Sequence, residues 1–133
     1  MRGNVHHSRY LEKPVTADEQ AVARLLEEME QAIAAHDRER MLSVFSEQAK
    51  ITILGNKNSM LDKQAYSQEI TRTLPLLRRI RFADIFIKVT GMEAKISCKN
   101  HIIFVDGPDT LVGRYFLCKK INNRWLIATA EIF

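Results

Sequence analysis

Three ionisable residues interrupt otherwise apolar faces in the C-terminal half of this 133-residue chain. With side chains alternating along a strand, Asp84 shares a face with Ile80, Phe82 and Phe86, and Arg114 with Val112, Phe116 and Cys118. Glu131 falls with Trp125, Ile127, Thr129 and Phe133. An isolated charge in apolar surroundings is costly, so each residue needs a partner or a wet cavity. If the three faces line one cavity, Asp84 and Glu131 supply an acid and a base for proton transfer, and Arg114 a cationic anchor. A structural reading competes with this one. The opposite faces, with Ala83, Ile85 and Ile87 and with Leu111, Tyr115 and Leu117, are apolar too, so alternation alone leaves the core side open. On that reading Arg114 and Glu131 form cross-strand or intersubunit ion pairs.

The intervening strand is less ambiguous. Ala94, Ile96, Cys98, Ile102 and Phe104 make an apolar side, against Lys95, Ser97, Lys99 and His101. Asn100 is the polar outlier on the apolar side, placed to hydrogen-bond a ligand or a neighbouring backbone group. His101, among charges, reads as a solvated or interface histidine rather than a general base. Tyr66, on the inner side of a predicted helix, can turn its hydroxyl into a cavity or serve as core with a satisfied tip. Ligand contacts are therefore expected at Tyr66, Asn100 and Arg114, and proton transfer, if any, at Asp84 and Glu131.

Other chemistry finds little support. The His6–His7 pair has no third ligand nearby in sequence, and no zinc spacing, nucleotide-binding loop or nucleophile elbow is present, so no metal or cofactor is expected. Cys98 and Cys118 sit among apolar residues without CxxC spacing and read as buried free thiols of a cytoplasmic protein, with a disulfide open if their strands are neighbours. The net charge of +4 gathers at Arg78, Arg79 and Arg81 and at Lys119, Lys120 and Arg124. No recognisable module or interleaved stacking residues accompany these clusters, so a solvated face or a site for acidic ligands is expected rather than nucleic-acid binding. No apolar run approaches the roughly 18 residues of a membrane span, and the N-terminus lacks the apolar core of a secretory signal.

The elements that must position these residues follow from caps and periods. Residues 1–15 read as a flexible arm and 16–133 as one domain. Thr16-Ala17-Asp18-Glu19 fits a capping box, and Val22, Leu25, Leu26, Met29, Ala32 and Ile33 recur at helical spacing up to about His36. Asp37 caps a short helix burying Met41, Leu42 and Phe45. Residues 49–54 form a strand closed by the turn Gly55-Asn56, and Asp62 caps a third helix over about 63–74 that ends before Pro75. From residue 79 the period becomes two: strands over 79–90, 93–105, 110–120 and 124–133, separated by turns at Gly91-Met92, Asp106–Asp109 and Asn122-Asn123. The order α-α-β-α-β-β-β-β is an α+β domain, three N-terminal helices packed on a strongly curved, mainly antiparallel sheet.

This order resembles the nuclear-transport-factor-2-like superfamily, the cystatin-like cone that includes ketosteroid isomerase and SnoaL-type cyclases. AIAAHDRERMLSVFSEQAKIT is similar to its helix, cap, second helix and first strand, and MLDKQAYSQEI to its third-helix entry. VTGMEAKISC and NNRWLIATAEI resemble its Gly-centred hairpin and final strand. The resemblance implies a pocket between helices and sheet for a small apolar or weakly acidic ligand, and a homodimer joined through the sheet. It also implies two alternatives: a cyclase, isomerase or dehydratase using Asp84 or Glu131, or a homo-oligomerisation module. In the isomerase of that family the general base is an Asp. Its place here falls at about Ile53, which exchanges no proton.

Overall fold

The computed structural model describes residues 9–53 and 59–132. The His6–His7 pair and the Gly55-Asn56 turn lie outside the described residues. Helix α1 spans Ala17–Ala34, opened by the capping box: Thr16 Oγ1 accepts from Glu19 N at 3.0 Å and Glu19 Oε1 accepts from Thr16 N at 3.0 Å. Its stripe of Val22, Leu26, Met29 and Ile33 is essentially solvent-free. Helix α2, Arg38–Leu42, is capped by Asp37, and α3, Lys63–Thr73, by Asp62, whose Oδ1 accepts from Ala65 N at 2.8 Å. A 3-10 turn over Leu74–Leu76 carries Pro75 and leads into the sheet.

The strands are β1 (Phe45–Ile53), β2 (Ser59–Asp62), β3 (Leu77–Thr90), β4 (Glu93–Phe104), β5 (Thr110–Ile121) and β6 (Arg124–Ile132). They form one sheet in the order β2-β1-β6-β5-β4-β3, antiparallel throughout except that β1 runs parallel to β6. The expected order is recovered with one addition, the four-residue β2, too short and too mixed to declare itself by alternation. Tight hairpins follow the predicted turns: Gly91 stands at φ 61°, and Asn122 and Asn123 at φ 51° and 65°. Asn tolerates this left-handed region better than most side chains, as such a turn requires. No helix among the described residues is long and apolar enough to cross a membrane.

Alternation is broken twice where it matters. Between Ala83 and Phe86, β3 advances three residues while its partner β4 advances only from Lys99 to Ser97. Between the pairs Leu117–Thr129 and Cys118–Ile127, β6 likewise takes one residue more than β5. Each extra residue is a bulge that bends its strand and swaps faces beyond it. The first bulge holds Asp84 at φ 50°, and the inward residues run Ile80, Phe82, then Ile85 and Ile87. The second makes the buried positions of β6 Trp125, Ile127, then Ala130.

The bulge in β3 is gripped from two sides. Ile85 donates to Arg9 O at 2.9 Å and accepts from Leu11 N at 2.8 Å, so the arm adds a short stretch to the sheet's edge. Glu30 of α1 accepts from the Phe82 backbone N at 2.8 Å and pairs with Arg9 at 2.7 Å. Edge hydrogen bonds and the Glu30 pair thus hold Arg9–Leu11 against the sheet. At the other end of α1, Asp18 Oδ1 accepts from Trp125 Nε1 at 2.9 Å and from Lys120 Nζ at 3.1 Å, tying the helix start to the β5–β6 hairpin.

The hydrogen bonds from Trp125 and Lys120 hold the Asp18 carboxyl below its ordinary 3.8. A carboxylate depressed on folding contributes stability above its unfolded value and loses it as pH falls through the folded one. Trp125 is the sole tryptophan, so its emission should change in an acid step centred below pH 3.8. Asp18→Asn should abolish that step in a fluorescence titration; a step that survives unchanged belongs to another group.

Candidate functional site

The sheet bends around α1 and α3 without closing on them, and a cavity of about 230 Å³ remains between. Met29 and Ile33 of α1 and Ile70 of α3 make its apolar wall on the helix side, with Phe45 and Ile51 of β1 beside them. Ile80, Phe82, Ile102, Phe116 and Ala130 make the sheet side. Edge-on aromatic contacts stiffen both: Phe45 meets Tyr66 at 5.2 Å between ring centres, and Phe82 meets Phe116 at 6.1 Å.

Five polar residues reach this lining: Tyr66, Glu69, Thr73, Asn100 and Arg114. Two are already engaged. Thr73 Oγ1 donates to Glu69 O at 3.0 Å, and the Glu69 carboxylate pairs with Arg72. The other three are the predicted ligand contacts, and the fold brings them into one cavity. Asn100 is fully buried, and neither its Nδ2 nor its Oδ1 has a hydrogen-bond partner among the described residues. Arg114 has a buried Nε without a partner, and no carboxylate pairs with it among the described residues. Tyr66 is 7% exposed. Burial lowers the Arg114 guanidinium below its ordinary value, an effect that Tyr66 and Cys98 oppose. Burial raises the Tyr66 phenol, and Arg114 opposes that shift.

Asp84 and Glu131 do not line this cavity. The expected grouping of Asp84 with Phe82 and Phe86 fails because Asp84 is the inserted residue of the β3 bulge; its side chain is 58% exposed and lies 3.9 Å from Lys99. The grouping of Glu131 with Trp125 and Ile127 fails for the same reason, since the β6 bulge puts Ala130 inside and turns Glu131 outward. His101 also faces outward, 3.3 Å from Asp109. Cys98 and Cys118 lie on neighbouring strands, but Cys98 pairs with Arg114 and Cys118 with Ala94, so both are free and buried. Burial pushes both thiols up to about 12, which leaves them inert at neutral pH. Glu69 and Thr73 escaped the sequence reading, although their spacing from Tyr66 puts them on the same helix face. Among the described residues, no group of three or more His, Cys, Asp or Glu could hold a metal ion. A wider, open depression of about 740 Å³, lined in part by Lys50 and by Lys119 and Arg124 of the basic cluster, contains none of Tyr66, Asp84, Asn100, Arg114 and Glu131.

No family model matches the chain, and no curated protein matches it. Solved structures do. An NTF2-like protein of unknown function from Shewanella oneidensis superposes with a TM-score of 0.77 at 17% identity, over 86% of this chain and 98% of its own. A cystatin-like-fold protein of unknown function from Nostoc punctiforme gives 0.74 at 17% identity, over 90% and 93%. A protein provisionally named a scytalone dehydratase, from Novosphingobium aromaticivorans, gives 0.70 at 15% identity, over 86% and 82%. At such identities the likeness concerns the path of the chain, and the expected architecture stands: this protein has the nuclear-transport-factor-2-like, cystatin-like α+β fold.

Proposed function

We propose that the chain is a small-ligand-binding domain whose ligand occupies the cavity between α3 and the inner face of the sheet. The observation that carries this reading is Asn100, wholly buried in the cavity wall with both amide atoms unpartnered among the described residues. A buried amide left unsatisfied costs about 1–3 kcal/mol. A core that only needed filling would hold Leu or Ile there. A ligand that completes the hydrogen bonds accounts for the retained polarity. Proton-transfer chemistry of the dehydratase, cyclase or isomerase kind draws support from one neighbour's name, yet Asp84 and Glu131 stand outside the cavity. The two free thiols fit a reducing compartment, and on that ground the cytoplasm is the proposed location.

A homodimer through the sheet is part of this proposal. On the outer face Phe86, Tyr115, Leu117 and Leu126 are only partly buried within one chain. Register brings them together, with Lys95 opposite Leu117 and Ser97 between Phe86 and Tyr115. A second copy would cover this centre together with Lys95 and Glu131, which stand opposite Leu117 and Tyr115.

Two measurements test these readings. Asn100→Leu should raise the unfolding temperature of the unliganded protein by a few degrees, as removal of about 1 kcal/mol of penalty implies, while weakening any ligand of the cavity. A variant that melts lower would mean that Asn100 is a structural residue. In sedimentation equilibrium the wild type should run at twice its 15.3 kDa chain mass and Leu117→Glu at that mass once. A monomeric wild type would end the dimer proposal, and a larger closed ring would favour an oligomerisation module.

A further inference from the structure

We propose that the ligand is a compact monocarboxylate, its carboxylate held by Arg114 and Asn100 and its single ring or short hydrocarbon body lying against Phe82 and Phe116. This inference rests on the pocket reading above and adds the ligand's charge and size.

Three features specify the charge. Arg114 points inward from the middle of β5, with Cys98 opposite it and Phe116 next along the same face. A guanidinium stays protonated in proteins, so the wall carries a positive charge that no carboxylate among the described residues pairs with. Asn100 sits opposite Val112, which makes it the diagonal neighbour of Arg114 on the adjacent strand. Diagonal neighbours on one sheet face lie about 7–8 Å apart at the backbone, within reach of long side chains. The Arg114 Nε–H and the Asn100 Nδ2–H can therefore each donate to one oxygen of the same carboxylate. Tyr66 faces them from α3, and burial favours its protonated form, so it is a third donor rather than a competing anion.

Size and the remaining charges narrow the class. The cavity's roughly 230 Å³ is below the about 300–1,000 Å³ of sites for drug-sized molecules. Apart from Glu69 and Thr73, whose hydroxyl donates to the Glu69 carbonyl, the rest of the lining is aliphatic or aromatic, which offers nothing to a second charge. The one carboxylate on the lining, Glu69, is paired with Arg72 and would repel a dianion.

Isothermal titration with benzoate, benzyl alcohol and phthalate tests the assignment on the whole chain. Benzoate should bind the wild type, with benzyl alcohol and phthalate each weaker by about tenfold or more, the scale of a charged hydrogen bond. Arg114→Met should remove that preference, leaving benzoate no better than benzyl alcohol, whereas Arg114→Lys should retain part of it. Circular dichroism shows whether each variant is folded; should Arg114→Met not fold, the three wild-type titrations decide alone. Benzyl alcohol bound as tightly as benzoate would overturn the carboxylate assignment and leave the pocket standing. Phthalate bound as tightly as benzoate would overturn the monoanion requirement. Binding of none of the three would overturn both this inference and the pocket reading.

Discussion

Side chains alternate along a strand, and one inserted residue reverses the alternation for all that follow. The architecture depends on two such insertions. A sheet that kept strict alternation from Leu77 to Thr90 would present Asp84 to the helices and turn Ile85 and Ile87 away from them. The insertion at Asp84 avoids that and bends β3 around α1. It also marks where the rest of the molecule takes hold of β3, since Phe82 donates to Glu30 and Ile85 pairs with the arm. The insertion in β6 does the equivalent work there, placing Ala130, a small residue, where a larger one would fill the cavity. Curvature, cavity and the identity of the inward residues thus have one origin.

This explains which parts of the molecule were legible in the sequence. The three helices announced themselves through Thr16, Asp37 and Asp62, because a cap is a local hydrogen bond between near neighbours. The four long strands and their hairpins were equally local, set by alternation and by Gly91, Asn122 and Asn123. Asn100 was readable as an inward polar residue because β4 keeps strict alternation from Ala94 to Asn100. Asp84 and Glu131 were misplaced because a bulge depends on pairing with a partner strand and has no fixed local signature. The parallel contact of β1 with β6 was hidden for the same reason, as it joins segments far apart in the chain.

The cavity wall and the hydrophobic core are continuous, and they make opposite demands on the same strands. Ile96, Phe116 and Cys118 alternate inward as a well-packed core requires, while Asn100 and Arg114 interrupt that surface one or two pairs away. Folded domains keep only about 5–15 kcal/mol of net stability, so two under-satisfied polar groups are a sizeable fraction of it. The long α1 stripe, buried from Val22 to Ile33, is what lets the sheet tolerate them.

The stretch Arg9–Leu11 has a further consequence. Strand β3 is the last in the sheet and is 14 residues long, which makes it a template onto which other chains can add. Natural proteins blunt such edges with charge, irregularity or a covering segment, and this chain uses all three at one place: Arg79 and Arg81, the kink at Asp84, and its own residues laid across Ile85. Residues 9–11 therefore take up the backbone groups of Ile85 that a strand of another chain would otherwise pair with.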